Sequence, residues 1–221
     1  MLLPPSGIPI SYFLCNQCGF CYAPEFFEWS LEDFEKKIYN EHYIEIDPEY
    51  LEARPRRNFL LLEELFGEEK NKIRHLDYGG GNGLLSKLLC EAGWNSTTYD
   101  PFVNRDINID SLGKFDLISA IEVVEHVPNV EELISNLSTL LVEDGIILIS
   151  TVVSDGSIEA GKRLSWWYAA PRNGHISLFT YESLKVLGKT KGFLFSSAGG
   201  SLHIFYRKIP DWAGQTFKEN T

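Results

Sequence analysis

The feature that most constrains the fold of this chain is the run "LDYGGGNGLL" at residues 76–85. It places four glycines in five positions, between a strand-like apolar run and a helical pattern. Glycine loses more backbone freedom on folding than any other residue. A turn with this many glycines therefore predicts that its backbone comes very close to something, either a ligand or another part of the chain.

The sequence around this turn alternates between strand-like and helical patterns. The elements are strands at 72–78, 94–100, 114–121 and 145–152, helices at 84–93, 130–141 and 181–192, and two strand-like runs within 193–209. This order predicts an α/β fold with a Rossmann-like doubly wound sheet in three layers, α/β/α. The sheet should be mostly parallel, with the last two runs forming an antiparallel hairpin at its edge.

Three regions are predicted along the chain. Residues 1–54 form an N-terminal extension that contains three cysteines and a short helix at 30–40, with Ser30 as its N-cap. Residues 55–209 form the main domain, and residues 210–221 form a C-terminal tail. The helix that begins the main domain carries an apolar stripe and ends at Gly67.

The composition argues against two classes of partner. The net charge of −11, from 20 basic and 31 acidic residues, repels the phosphate backbone of nucleic acids. The sequence "EARPRRN" at 52–58 is the one candidate for a basic patch. No apolar run reaches the roughly 18 residues of a membrane helix, and the first residues lack the basic region of a signal peptide. We expect a cytoplasmic protein without a nucleic-acid or membrane partner, of undetermined oligomeric state.

The cysteines raise the question of a bound zinc ion. Cys15, Cys18 and Cys21 lie in "CNQCGFC", whose C-x-x-C spacing is typical of a zinc knuckle in a reducing compartment. A structural zinc site needs four ligands, so a zinc ion here and a knuckle that has lost its metal are both open. Cys90 lies within a predicted helix, where we expect a buried free thiol.

The glycine turn differs from two common nucleotide-binding turns. Leu84 stands where a dinucleotide fingerprint needs its third glycine, and the Gly-Lys-Ser/Thr order of a phosphate loop is absent from this turn. The carboxylate of Asp77 would attract an ammonium, and Asp100 at the end of the next strand suits a ribose diol. A cofactor with an amino group, a ribose and no phosphate fits this pair, and S-adenosylmethionine is such a cofactor.

The sequence resembles the class I S-adenosylmethionine-dependent methyltransferases, most closely those of type 23 and of the ubiquinone O-methylation pathway. The resemblance is carried by "HLDYGGGNG", "YDPF", "FDLISAIEVVEHV" and "LVEDGIILIST". It implies that the cofactor packs on the glycine turn, with Asp100 at the ribose and Asp106 or Ile107 near the adenine. The cofactor-binding residues it implies are Asp77, Gly79, Gly81, Gly83, Asp100, Asp106, Ile107 and Ile121.

A second group of polar residues follows the strand at 114–121. Glu122, Glu125 and His126 come directly after this strand, and His175 precedes a later helix. Carboxylates and imidazoles together suit a divalent metal such as Mg²⁺ or Zn²⁺. The same pattern resembles the metal-bearing site of small-RNA 2′-O-methyltransferases. The alternatives are His126 or His175 as a general base without metal, and a purely structural role. The candidate catalytic residues are His126, His175 and Glu122.

The acceptor is expected under the long connection at 154–180. Trp166, Trp167 and Tyr168 are candidate walls of a pocket, although packing in the core is an equal alternative. Lys162, Arg163 and Arg172 are candidates to pair with an anionic acceptor. Tyr39, Tyr43 and Arg57 are candidates to cap the cofactor.

These observations predict a methyltransferase that uses S-adenosylmethionine to methylate an oxygen of a small hydroxylated acceptor. Methylation of a sugar or nucleotide-sugar at carbon or nitrogen is one alternative. A regulator that binds the cofactor without turnover is another. RNA 2′-O-methylation is disfavoured by the net charge of −11.

Overall fold

The structure is a computed structural model and describes residues 9–213 of the chain. Its strands are β1 Phe13–Leu14, β2 Cys21–Tyr22, β3 Arg74–Tyr78, β4 Asn95–Tyr99, β5 Phe115–Ile121, β6 Leu141–Ser150, β7 Ser177–Leu178, β8 Leu194–Ala198 and β9 Leu202–Tyr206. Its α-helices are α1 Leu31–Lys37, α2 Tyr43–Ile46, α3 Ala53–Phe66, α4 Leu84–Glu91, α5 Val130–Leu140 and α6 Tyr181–Lys189.

Six of these strands form the central sheet, in the order β4-β3-β5-β6-β9-β8. The first four run parallel, whereas β9 is antiparallel to both β6 and β8. The predicted doubly wound sheet with an antiparallel C-terminal hairpin is therefore confirmed. Because β3 and β5 are neighbours, the turns that follow them meet at the carboxyl edge of the sheet, where open α/β sheets bind ligands.

Apolar side chains cover both faces of the sheet, which gives the three predicted layers. On one face, α5 and α6 contribute Leu133, Leu137 and Leu184 to a buried cluster. On the other face, α3 and α4 contribute Leu62 and Leu89 to a second cluster. Burial of both faces explains the continuous apolar run at residues 146–149 of β6, all of which are buried.

The N-terminal segment is joined to the main domain by a second, small sheet. Its order is β1-β2-β7, so β2 of the segment pairs on one side with β1 and on the other with β7, which follows His175. The predicted helix is present as α1, with a full capping box between Ser30 and Asp33. The boundary predicted between residues 54 and 55 falls inside α3, because this helix already begins at Ala53. Of the predicted tail, residues 214–221 lie outside the described residues.

Two further details differ from a simple alternation of strands and helices. Residues 101–114, all of which are described, contain turns and the 3₁₀ helix Ile109–Leu112 but no strand, which leaves β4 at the edge of the sheet. The thiol of Cys90 is exposed, so the predicted burial is wrong; its side chain lies on the outer face of α4 and donates to the Ser96 carbonyl oxygen. Across residues 9–213, no helix is long and apolar enough to cross a membrane.

Candidate active site

The glycine turn that follows β3 is packed tightly against its own protein surroundings. A side chain at Gly80 would collide with the Asp77 carboxylate and the Thr98 hydroxyl. A β-carbon at Gly79 would lie 2.6 Å from a methyl group of Val123. Much of the glycine requirement therefore comes from close contacts within the protein rather than from a ligand.

Gly81 is the glycine of this turn that faces open space. It adopts a left-handed backbone with φ of 53°, and no heavy atom lies within 4 Å of the position of an added β-carbon. Its N–H donates to Asp100 Oδ2 at 3.0 Å. The turn is thus closed on one side by the protein and open at Gly81, which is where a ligand can approach the backbone.

Asp77 provides a buried carboxylate beneath this turn. Its Oδ1 accepts a hydrogen bond from the Ser119 hydroxyl at 3.3 Å, whereas its buried Oδ2 has no hydrogen-bond partner. Burial, with a smaller contribution from the negative charge of Asp100, raises the pKa of Asp77 to about 7. A cationic group next to Oδ2 would satisfy this oxygen and stabilise its ionised form.

Asp100 links the glycine turn to the segment that follows β4. Its Oδ2 accepts from Gly81 N–H and its Oδ1 from Phe102 N–H, at 3.0 and 2.8 Å. Each oxygen retains a lone pair after these bonds. The donor and acceptor chemistry of Asp77, Gly81 and Asp100 therefore fits a ligand that carries an ammonium and a ribose diol.

A cavity of about 270 Å³ lies between α3 and the ends of β5 and β6. Arg54, Arg57, Asn58, Ile121, Glu122 and Ser150 line it. Arg54 forms a two-bond ion pair with Asp47, at 2.7 and 3.0 Å. The predicted cofactor residue Ile121 and the predicted capping residue Arg57 are thus brought together at one opening.

The arginines of the candidate basic patch are paired with acidic side chains. Arg56 bonds to Glu52, and Arg57 bonds to Glu49. Together with the Arg54 pair already described, these contacts offset the positive charge of residues 52–58. The patch therefore offers little free charge to a phosphate backbone.

Glu122 occupies a strained position at the end of β5. Its φ is 56°, which places it in the left-handed region and makes it the one described non-glycine residue with a positive φ. Its side chain accepts from the Ser150 hydroxyl at 2.8 Å, and its N–H donates to the Ser150 carbonyl oxygen. Such strain costs about 1–3 kcal/mol and persists where the surroundings hold the residue in place.

Three of the four predicted metal ligands converge. Glu125, His126 and His175 offer donor atoms that all lie within 4.8 Å of one another, and no other such group of three exists among residues 9–213. Glu122 is outside this group, so the structure does not bring the fourth predicted ligand together with the other three. The left-handed backbone of Glu122 turns its carboxylate towards Ser150, and the 3₁₀ helix Val124–His126 begins only afterwards. We refer to Glu125, His126 and His175 as the Glu-His-His cluster.

Tyrosines from distant segments orient the Glu-His-His cluster. The Tyr168 hydroxyl donates to Glu125 Oε1, while the buried Oε2 has no hydrogen-bond partner. The His175 Nδ1–H group donates to the Tyr168 carbonyl oxygen at 2.8 Å, which leaves Nε2 with its lone pair. His126 Nδ1 lies 3.0 Å from the Tyr39 hydroxyl. Tyr39, predicted to cap the cofactor, therefore contacts this cluster.

The surroundings favour uncharged forms of all three cluster residues. Burial is the main cause that lowers the pKa of both His126 and His175, so their imidazoles are neutral near pH 7. Burial, followed by the charge of Glu122, raises the pKa of Glu125 to about 8. Neutral imidazoles are the forms that accept a proton or bind a metal.

The remaining predicted residues lie around these two sites. Asp106 and Ile107 are exposed in the segment after Asp100, and their proposed place near an adenine stays a prediction. Trp167 is 73% exposed, whereas Trp166 packs on a buried cluster beside Tyr168. The Tyr43 hydroxyl donates to the Asn173 carbonyl oxygen. Among the candidates to pair with an anionic acceptor, Lys162 pairs with Glu159. Arg163 is exposed and Arg172 is partly buried.

The three predicted zinc ligands of the N-terminal segment do not form a metal cluster. Cys15 and Cys18 lie in one turn, where Gly19 N–H donates to the Cys15 carbonyl oxygen. Cys21 is in β2 and is buried against Tyr168. Among the described residues, no third Cys, His, Asp or Glu side chain joins the first two. The turn keeps the backbone of a knuckle but offers two ligands instead of the four that a structural zinc requires.

Comparisons with known proteins agree with this geometry. A family model described as a methyltransferase domain matches residues 50–195. This chain belongs to the methyltransferase family. The matched residues include the glycine turn, Asp100 and the segment from Glu122 to His175, and the resemblance to class I S-adenosylmethionine-dependent methyltransferases is confirmed.

Curated relatives of this family member include ubiquinone biosynthesis O-methyltransferases. The protein of Rickettsia typhi is 30% identical over 132 residues, which are 48% of this chain and 52% of that protein. The protein of Glaesserella parasuis is 39% identical over 105 residues, covering 35% and 44%. The chain spans about half the length of the curated relatives it matches.

Solved structures show the same fold at low identity. A 1,6-didemethyltoxoflavin-N1-methyltransferase of Burkholderia thailandensis, whose structure contains S-adenosylhomocysteine, aligns with a TM-score of 0.52 and 19% identity over 90% of this chain and 98% of its own. An O-methyltransferase family protein of the same species aligns with a TM-score of 0.50, 15% identity and coverages of 77% and 63%. At such identities the likeness concerns the fold of this family member.

The sequence did not point to every polar residue near the two sites. His75, Ser119 and the partly buried Ser96 form a hydrogen-bond chain that ends on Asp77. The signal was present, since a histidine and a serine interrupt the apolar strands "KIRHLDY" and "FDLISAI". A buried polar residue inside an apolar strand needs partners, and those partners depend on strand register.

Proposed function

We propose that this protein transfers a methyl group from S-adenosylmethionine to a hydroxyl oxygen of a small acceptor. The observation that carries the proposal is the pairing of two sites at one edge of the sheet. The turn with Asp77 and Asp100 suits a cationic, ribose-containing cofactor, and the Glu-His-His cluster offers groups that accept a proton. When bound, the cofactor supplies a methyl group that its sulfonium already activates.

On the cofactor side, the protein acts mainly by binding and orientation. Asp77 Oδ2, which is buried and without a partner, is placed to accept from an ammonium. Asp100 is placed to accept from ribose hydroxyls, and the open backbone at Gly81 allows the cofactor to approach. Alignment of the reacting atoms accounts for much of the acceleration in such transfers.

On the acceptor side, the neutral imidazoles of His126 and His175 are placed to take the hydroxyl proton. His175 is the stronger candidate, because its Nδ1–H is engaged by the Tyr168 carbonyl oxygen and its Nε2 is the acceptor. General base catalysis of this kind contributes about 10²–10⁴ in rate. The names of the curated relatives, which are O-methyltransferases, support oxygen as the methylated atom.

As a second candidate, we propose that the Glu-His-His cluster binds a divalent metal ion; His175 Nε2 is then a metal ligand, and the bound ion replaces His175 as the group that activates the acceptor hydroxyl. One carboxylate and two imidazoles are a known ligand set for Zn²⁺, and the imidazoles make Zn²⁺ or Mn²⁺ a better fit than Mg²⁺. The unpartnered Glu125 Oε2 and the backbone-bonded His175 have the arrangement of metal ligands with outer-shell support. A bound ion would lower the pKa of an acceptor hydroxyl.

Calorimetry with S-adenosylhomocysteine is the first test of the function. We expect measurable binding by the wild-type protein and at least tenfold weaker binding by Asp100→Asn. The absence of both binding heat and a thermal shift in the wild-type protein would contradict the proposal. A screen of small hydroxylated acceptors by mass spectrometry then identifies the methylated atom, and products methylated at carbon or nitrogen would overturn the assignment to oxygen.

Metal binding is tested separately, by elemental analysis of the purified protein and by titration with Zn²⁺ and Mn²⁺. We expect one equivalent of metal in the wild-type protein and loss of that equivalent in His175→Ala. The exposed His42 provides a matched control, because His42→Ala removes an imidazole outside the cluster. Equal metal content in all three proteins would contradict the metal proposal and would leave the general-base role to His126 or His175.

A further inference from the structure

A line of buried polar side chains crosses three neighbouring strands beneath the glycine turn. Strand register places them side by side, since His75 pairs with Ser96 across β3 and β4, and Asp77 pairs with Ser119 across β3 and β5. His75 and Asp77 are two residues apart, so they share one face of the sheet. The face is otherwise covered by the apolar side chains of α3 and α4.

These side chains form one continuous hydrogen-bond chain. Ser119 Oγ lies 3.3 Å from Asp77 Oδ1 and 2.9 Å from His75 Nε2. His75 Nδ1 lies 2.8 Å from Ser96 Oγ, which lies 2.8 Å from Ser86 Oγ. His75 and Ser119 are both fully buried, so their hydrogen bonds are made within the protein.

Counting protons determines the direction of this chain when Asp77 is ionised. A carboxylate only accepts, so the single hydroxyl proton of Ser119 points to Asp77. Ser119 must then accept from His75, which requires the proton of His75 on Nε2. Nδ1 in turn accepts from Ser96, and Ser96 accepts from Ser86. A protonated Asp77 permits the opposite direction, in which Ser119 donates to Nε2 and His75 carries its proton on Nδ1.

We propose that Ser119 and His75 are positioning residues for cofactor binding, which form a hydrogen-bond chain whose direction follows the charge of Asp77. An ammonium bound at Asp77 Oδ2 holds the carboxylate ionised and therefore holds His75 in its Nε2–H form. This inference rests on the proposed function, because the cofactor supplies the ammonium. These two residues do not touch the cofactor, but they set the hydrogen-bonding state of Asp77, which does.

The surroundings of both titratable groups are consistent with this role. Burial lowers the pKa of His75 to about 3, so at neutral pH this histidine exchanges tautomers rather than charge. The charged group that faces Asp77 is Asp100, which disfavours its ionised form, whereas the Ser119 hydroxyl favours it. The chain uses Oδ1 and leaves Oδ2 for the ligand.

The tautomer of His75 is measured directly by nitrogen-15 NMR of the ring. In the protein without ligand, we expect a change from Nδ1–H to Nε2–H as the pH rises from 5 to 9. With saturating S-adenosylhomocysteine, we expect Nε2–H throughout this range. A tautomer that does not change with pH in the ligand-free protein would overturn the chain, whether or not the protein binds S-adenosylhomocysteine. Failure to bind that ligand would instead contradict the proposed function, so the two failures are distinguishable.

Calorimetry of Ser119→Ala measures the effect on binding. At pH 7 we expect S-adenosylhomocysteine to bind the variant about tenfold more weakly than the wild-type protein, as for loss of one hydrogen bond to a carboxylate. At pH 9 we expect a smaller loss of affinity, because Asp77 is ionised there even without the Ser119 hydrogen bond. Ser154→Ala is the matched control, because Ser154 is a buried serine whose hydroxyl has no partner. An equal loss at both pH values would indicate a merely structural role for Ser119 and would contradict the proposal. If Ser119→Ala does not fold, the NMR measurement of the His75 tautomer in the wild-type protein tests the proposal.

Discussion

The glycine turn with Asp77 and Asp100 and the Glu-His-His cluster lie at the same edge of the sheet but are built in different ways. The first site consists of the end of β3, the glycine turn that follows it, and the end of the neighbouring strand β4. The cluster joins the end of β5 to His175, and it depends on Tyr39 and Tyr168 for its orientation. One site is local in the sequence, and the other is assembled from four segments.

Because the two sites are built differently, we expect substitutions in one site to leave the properties of the other unchanged. Changes in the turn act on backbone close contacts and on a buried carboxylate, so they alter folding and cofactor affinity. Changes in the cluster act on side chains held by long-range contacts, so they alter the rate at a given cofactor occupancy. The predictions below run from the largest expected effect to the smallest.

The largest effect is expected for Gly80→Ala in the turn. The added methyl group collides with the Asp77 carboxylate and the Thr98 hydroxyl, both held by the sheet. We expect a loss of at least about 3 kcal/mol in the free energy of unfolding, measured by urea denaturation. Gly200→Ala is the control, since nothing lies within 4 Å of its added methyl group. Equal stabilities of the two variants would show that the turn is not tightly packed.

Asp77→Asn should change how the stability of the ligand-free protein depends on pH. The pKa of Asp77 is about 7 in the folded protein and 3.8 in a model peptide, so between these values only the folded protein retains the proton. The free energy of unfolding should therefore fall as the pH rises, by about 2 kcal/mol between pH 5 and pH 7 from this residue. Asp77→Asn should remove that part of the slope. Parallel pH profiles for the two proteins would contradict the raised pKa.

Tyr168→Phe should act on the cluster and leave the turn intact. It removes the hydroxyl that donates to Glu125, a bond worth about 1.5 kcal/mol or more. We expect kcat to fall about tenfold while the affinity for S-adenosylhomocysteine stays within twofold. Tyr206→Phe is the matched control, because its hydroxyl contacts Ser196 on the far hairpin. A parallel loss of cofactor affinity in Tyr168→Phe would show that the two sites are not separable.

The smallest effect is expected for Ser30→Ala at the start of α1. Loss of the capping box should lower the free energy of unfolding by about 1 kcal/mol. Because α1 precedes Tyr39, which contacts His126, we expect a slight fall in rate and no change in the affinity for S-adenosylhomocysteine. Urea denaturation, a methyl-transfer assay and calorimetry measure the three quantities, and a weaker affinity would connect the N-terminal segment to the turn instead.

Most of the fold and one of the two sites were accessible from the sequence. The periods of apolar residues gave β3 to β6 and α4 to α6 within a few residues, because burial on a sheet face or a helix face imposes those periods. Asp77, the glycines and Asp100 could be predicted to lie together, because their spacing is that of a strand, a turn and a neighbouring strand end; their role in cofactor binding stays a prediction.

The tertiary structure decided what depends on contacts between distant residues. Glu122 lies apart from the Glu-His-His cluster, because its backbone is left-handed. The sequence spacing, which suggests a continuous helical turn, does not reveal this backbone angle. The tertiary structure moved Cys21 away from Cys15 and Cys18, because pairing with β7 buries its side chain. It also aligned His75 and Ser119 with Asp77 through strand register, which no local spacing encodes. The sequence by itself thus determined the elements and the glycine turn, because local spacing sets both, and the packing of those elements decided which polar side chains meet.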